Sequence, residues 1–279
     1  LPALLVAREL STLLSRPYVF TEHRPSSVAG PKAGRRYLEL KHAVAQSGAC
    51  ATVSAPFARM VGDYYGRADV RVVHLPVPEA FFEQPLRKRD ADSPFVFLHV
   101  SHLDEAKRVD LLLRAFERVV HAAGAAATRV VIVGGAEGPR REYENLAAEL
   151  GISESVSFLG PVAREDLPRV VGESDCFVLP SDYEAGGTVI SEARACGIPV
   201  IATETWGGKG NVEESCGLLT PVGDEDALAD AMNAMMEGPP SGIQTRAEIR
   251  RRARELYSAD AFVNSQTAMY DDAISRFSM

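Results

Sequence analysis

Phe95-Val96-Phe97-Leu98-His99-Val100 leads through Ser101-His102-Leu103-Asp104-Glu105-Ala106-Lys107 into Val109-Asp110-Leu111-Leu112-Leu113-Arg114-Ala115-Phe116-Glu117-Arg118-Val119-Val120. The first run is apolar almost throughout, with no alternation, as expected of a strand buried on both faces. In the third run Val109, Leu112, Leu113, Phe116, Val119 and Val120 recur at spacings of three and four and form one apolar helical stripe. Val130–Val133 then reads as the next strand. Strand, helix and strand in that order predict a right-handed βαβ unit and hence a parallel sheet.

The alternation continues downstream. Val156–Phe158, Cys176–Leu179 and Ile198–Ala202 read as further strands, with helices at roughly 138–150, 164–172, 188–196 and 224–236. Upstream it is less complete: Pro17–Thr21, Cys50–Val53 and Val70–Val73 read as strands, with helical stretches near 34–46 and 55–65. Pro76, Pro78 and the polar segment Glu83–Ser93 interrupt the pattern and mark a domain boundary. The tail from Arg246 to Phe277 has a helical pattern, with Ser258 as a cap between two helices. The expected organisation is a first domain over 1–80, a second over 81–257, and a C-terminal helix over 258–279 that crosses back to the first.

The chain has 279 residues and a net charge of −8, which argues against a general nucleic-acid binder, since phosphate backbones call for a basic surface. No apolar run is long enough to cross a bilayer, so the reading expects a soluble protein. Cys50, Cys176, Cys196 and Cys216 form no CxxC pair and sit in or beside apolar segments, which favours buried free thiols and a reducing cytoplasm.

The stretch with the most chemistry is Ser181-Asp182-Tyr183-Glu184-Ala185-Gly186-Gly187-Thr188-Val189-Ile190-Ser191-Glu192. It reads strand end, glycine turn, helix start, and aims backbone N–H groups and a helix N-terminus at one place, which suits a phosphate. Its two carboxylates can accept from hydroxyls, so a sugar nucleotide matches both features. Ser101–Lys107, Gly134-Gly135, Glu184–Thr188 and Trp206-Gly207-Gly208 each follow a strand. In an open parallel α/β sheet ligands bind beyond the carboxyl ends of the strands, so these loops are expected to share one rim.

With these motifs in view, the chain resembles a family-4 retaining glycosyltransferase of the GT-B fold. The resemblance runs over most of residues 17–277 and is strongest from Val96 to Met235. Its most specific parts are the E-x7-E segment continuing to Thr203, the later Gly207-Gly208, and Gly217-Leu218-Leu219-Thr220-Pro221-Val222-Gly223-Asp224. It implies an α/β, GT-B-like architecture: a Rossmann-type parallel-sheet donor domain and an N-terminal Rossmann-like domain that is incomplete here, since residues 1–80 match only its second half. A fragment, a truncated reading frame, or a chain completed by a partner or by self-association are the expectations that follow.

The resemblance also implies roles. Glu192 would hold the ribose hydroxyls of the nucleotide, and Glu184 would contact the transferred sugar. Gly186, Gly187 and Thr188 would offer backbone amides to the diphosphate and sugar. Lys107 matches the lysine that neutralises the leaving phosphate, a role suited to a compact ammonium. His102 stands where an arginine is common. His23 matches a histidine that ends a first-domain strand and faces the transferred sugar. Set against these are ordinary readings: Glu192 as a surface residue or an N-terminal helix charge favoured by the dipole, Lys107 as a solvated lysine, and His23 as a strand-end histidine satisfied by backbone. The position before Gly187, commonly aromatic, is Gly186, and His74-Leu75-Pro76 replaces a hinge asparagine.

Asp90-Ala91-Asp92 and Asp224-Glu225-Asp226 imitate a DxD metal motif, but one lies in the linker and the other opens a helix, so no catalytic metal and no cofactor are expected. Arg24, Lys32, Arg35, Arg36 and Lys41 form a basic group for which a solvated face is favoured over an anionic acceptor or a peripheral contact with the inner face of the membrane. The functional expectation is metal-independent, retaining transfer of a sugar from a UDP- or GDP-linked donor to a glycan, lipid or small-molecule hydroxyl, with no protein nucleophile assigned. A nucleotide-sugar epimerase and a truncated, non-catalytic binding module are the alternatives.

Overall fold

The structure of the protein, a computed structural model, describes residues 2–90, 92–184 and 186–277. Its contacts divide it into two units: Leu1–Pro76 with Leu256–Met279, and Val77–Glu255.

The first unit carries three short parallel strands, β1 (Val19–Glu22), β2 (Ala49–Thr52) and β3 (Val70–Val72), in that spatial order. Leu40, Val44, Phe57, Val61 and Tyr65 from helices Arg35–Gln46 and Ala55–Tyr65 bury one face. On the other face Met269 and Ala273 of the long helix Ala259–Phe277 pack against Ala49, Ala51 and Val73. The approach there is close: a Cβ on Gly48 would lie 2.6 Å from that of Ala273, so only glycine lets the helix seat on the start of β2. A helix over Pro2–Leu14, which no sequence pattern led us to expect, precedes β1.

In the second unit six strands form one parallel sheet: β4 (Phe95–Ser101), β5 (Thr128–Gly134), β6 (Val156–Gly160), β7 (Cys176–Leu179), β8 (Val200–Thr203) and β9 (Gly217–Thr220), ordered β6-β5-β4-β7-β8-β9. Every residue of β7 and β8 is buried, the physical reason for their unbroken apolar character. On one face Phe97, Ile132, Val178 and Ile201 pack with Leu112 and Phe116 of helix Val109–Ala123 and Met232 of helix Glu225–Glu237. β9 was not anticipated as a strand, because its four residues pair one buried glycine with two half-exposed leucines. β8 begins at Val200 rather than Ile198, because the Ile198 N–H is still bonded to Ala193 O at 3.1 Å, at the end of the preceding helix.

From β4 the chain winds outward to β5 and β6, then returns to place β7 on the opposite side of β4 and continues to β8 and β9. The winding direction therefore reverses between β4 and β7, and at such a switch point the loops diverge and leave a crevice beyond the strand ends. The four cysteines are free and buried, and burial holds the thiols of Cys50 and Cys196 up at about 12. Among the described residues no helix is long and apolar enough to cross a membrane.

Candidate functional site

A cleft of about 790 Å³ opens at this reversal, and His102, Lys107, Glu184, Thr188 and Glu192 line it together with Arg164. Gly186 and Gly187 lie in the loop that joins Glu184 to Thr188.

The loop after β4 carries Lys107 on a short turn, Glu105–Lys107. Leu103 adopts a left-handed conformation with φ +57°, buries its side chain, and leaves the neighbouring His102 exposed. The loop is tied to the segment after β7 by the Asp182 N–H donating to Ala106 O at 2.9 Å and by the Arg108 guanidinium donating to Asp182 at 3.0 Å. Lys107 Nζ then lies 2.8 Å from Glu184 Oε2, with both side chains largely buried.

Glu184 is held from three sides. Its Oε1 accepts from the Gly187 N–H at 3.3 Å, its Oε2 meets Lys107, and its carbonyl accepts from the Gly207 N–H at 2.7 Å. A Cβ on Gly207 would stand 2.7 Å from Glu184 Cγ, which accounts for glycine in that motif. Asn211 Nδ2 donates at 2.8 Å to both Gly186 O and Gly207 O and joins the two loops. Gly187 has φ +58° and forms the N-cap of helix Thr188–Ala195, a conformation that glycine adopts without the usual strain. The amide expected to face a diphosphate is thus in contact with a carboxylate of the chain itself.

Glu192 lies on that helix and is 2 % exposed, so it is not a surface residue. Arg164, in the loop after β6, donates to its Oε1 at 2.8 Å. Burial pushes the Glu192 carboxyl above its usual range, and the Arg164 charge and hydrogen bond pull it back. Arg164 is the site residue that sequence reasoning missed. Its signal was available: it too follows a strand and so belongs to the same rim.

His23 belongs to the first unit, exposed at the end of β1, where its N–H donates to the buried carboxylate of Glu22 at 2.9 Å. His74, in the segment that replaces the hinge asparagine, packs edge-on against Tyr257 with ring centroids 5.2 Å apart. Asp224 caps helix Glu225–Glu237, accepting from the Ala227 N–H at 2.9 Å, and Asp226 pairs with Arg118. In the other DxD-like segment, Ala91 lies outside the described residues. Among the described residues no three His, Cys, Asp or Glu side chains are grouped to hold a metal ion. In the basic group, Lys32 donates to Asp63 O at 2.9 Å and Arg35 pairs with Glu39 at 2.8 Å.

The family described as "Glycosyl transferases group 1" matches residues 82–256. A D-inositol 3-phosphate glycosyltransferase of Mycobacteroides abscessus is 34% identical over 187 residues, covering 65% of this chain and 40% of that protein. The protein of the same name from Rhodococcus erythropolis is 28% identical over 275 residues, covering 89% of this chain and 62% of its own length. The chain thus spans between two fifths and two thirds of these relatives. Among solved structures, Anabaena HepE in complex with UDP superposes with a TM-score of 0.74 at 22% identity, over 96% of this chain and 75% of that one. The GT-B-like parallel-sheet fold expected from the resemblance is therefore the fold observed, and the chain belongs to the group 1 glycosyltransferase family.

Proposed function

We propose that the protein binds a nucleoside diphosphate sugar in the cleft between β4 and β7 and transfers the sugar to an acceptor hydroxyl with retention of configuration. The observation that carries this reading is the convergence of Lys107, Glu184, Thr188 and Glu192 on one cleft within the family-matched region, with the Gly187 amide on Glu184. Glu192, with Arg164 beside it, accepts from the ribose hydroxyls. Lys107 and the amides at the start of helix Thr188–Ala195 meet the charge of the departing diphosphate, a task for preorganised donors that need no divalent ion. Glu184 contacts the transferred sugar, and the family resemblance assigns His23 to the same sugar. The acceptor attacks as the diphosphate leaves, and a phosphate oxygen takes its proton. The HepE complex makes UDP the first nucleotide to try, and the names of the relatives make D-inositol 3-phosphate the first acceptor. On this reading the reaction takes place in the cytoplasm.

Calorimetric titration of the wild type, Lys107→Ala and Glu192→Ala with UDP and GDP tests the site. The expected result is binding of one nucleotide by the wild type and at least a tenfold (about 1.4 kcal/mol) loss in each variant. Equal affinity in all three proteins would overturn the assignment.

A further inference from the structure

His99 sits in the middle of β4, fully buried, at a position where the neighbouring strand residues are apolar. A polar ring in a sheet interior is costly unless its atoms are hydrogen-bonded. Both of its nitrogens have partners: Nδ1 lies 2.9 Å from Val178 O on β7, and Nε2 lies 2.8 Å from Ser101 Oγ. A carbonyl can only accept, so Nδ1 carries the proton and Nε2 accepts from the Ser101 hydroxyl. Ser101 Oγ accepts in turn from the Leu103 N–H at 3.0 Å. One chain of hydrogen bonds thus runs from β7, through the imidazole, to the left-handed residue of the loop that bears His102 and Lys107.

The position of this chain in the sheet is informative. β4 and β5 stay in register over seven pairs, from Phe95↔Thr128 to Ser101↔Gly134, whereas β4 and β7 share only Phe97↔Cys176 and Leu98↔Phe177. Their ladder ends one residue before His99, and the imidazole supplies the Val178 carbonyl with a donor where the strands separate. The separation is the reversal point at which the cleft opens. Burial holds the ring's pKa down at about 4, with Lys107 adding to the effect, so His99 is neutral near pH 7 and both hydrogen-bond roles persist.

We infer that His99 is a positioning residue for the cleft: as the Nδ1-protonated tautomer it wedges β4 from β7 and, through Ser101, holds the Leu103 turn that sets His102 and Lys107 on the cleft wall. The inference rests on the donor-site reading for its consequence, but the hydrogen-bond chain has readouts of its own.

The test combines NMR with calorimetry on the whole chain. In the wild type, 15N shifts should report His99 as the neutral Nδ1–H tautomer, and the Leu103 amide should be protected from solvent exchange. Ser101→Ala, which removes only the hydroxyl, and His99→Phe should each speed exchange at Leu103 and weaken UDP binding about tenfold (about 1.4 kcal/mol). The double variant should bind no more weakly than His99→Phe alone, because both changes break one chain. Ser101→Thr, which keeps the hydroxyl, should restore protection and affinity. An Nε2-protonated His99, an unchanged Leu103 amide in Ser101→Ala, or additive losses in the double variant would each overturn the proposal. Wild-type binding with unaltered affinity in every variant overturns it alone, whereas a wild type that binds neither UDP nor GDP removes the donor reading and leaves the tautomer and the Leu103 exchange rates to decide the inference.

Discussion

Replacing Glu184 with Gln is expected to tighten nucleoside diphosphate binding, an unusual direction for a residue inside a binding site. Glu184 Oε2 occupies Lys107 at 2.8 Å while Oε1 accepts from the Gly187 N–H at 3.3 Å, so one carboxylate holds both the cation and the amide that a diphosphate would use. An incoming diphosphate shares Lys107 with that anion. If the two negative groups face each other across the ammonium at about 6 Å, an effective dielectric of about 20 to 40 gives a repulsion of roughly 1.4 to 2.8 kcal/mol. Glutamine keeps an acceptor for the Gly187 amide and removes the charge, so UDP should bind about tenfold more tightly, the low end of that range. The gain should shrink as salt screens the site. It should persist or grow when Lys107→Ala is also present, because no cation then stands between the two anions. Calorimetry at low and moderate salt measures all of this. A Glu184→Gln protein that loses affinity as Lys107→Ala does would refute the reasoning and make Glu184 a contributor to phosphate binding.

Three further outcomes are expected. Arg164→Ala leaves the buried Glu192 carboxylate without its 2.8 Å partner and should cost about 1–2 kcal/mol near neutral pH, a modest figure because Arg164 is largely exposed. Glu192 already has a raised pKa, so its ionisation opposes folding as pH rises through the folded value, and the cost should disappear below about pH 4, where the carboxyl is protonated in both states; urea unfolding at the two pH values decides it. His99 drops from its ordinary 6.5 to about 4, so the unfolded chain binds a proton that the native one refuses, and stability should be lost as pH is lowered from 6.5 to 4, by up to about 3 kcal/mol; His99→Phe should flatten that slope. Asp224→Ala should lower stability by about 1 kcal/mol through loss of the helix cap, read by thermal unfolding, with UDP affinity unchanged.

Legibility differed by kind of residue. The long strands and the helix Val109–Ala123 were readable because each carries a strong periodic or continuous apolar signal. The helix Pro2–Leu14 stands outside the strand–helix alternation, and β9 is harder to read than the equally short β7 because Gly217 and Thr220 flank its two leucines in place of a continuous apolar run. In the site, Lys107, Glu184 and Glu192 were found through their motifs, yet nothing in those motifs announces that Lys107 and Glu184 pair, or that Arg164 reaches Glu192. His99 stands inside an apolar run and carries no sequence signal of its hydrogen-bond role.

The order of apolar runs and amphipathic stretches was enough by itself to determine a parallel α/β sheet with its functional loops on one rim, because periodicity and chain order are local properties that βαβ handedness converts into topology. The tertiary structure alone decided which charges meet. Pairing depends on how far β4 and β7 separate and on which loop crosses which, and residues 77 apart in the chain, Lys107 and Glu184, become partners only when the reversal of the sheet brings their loops together.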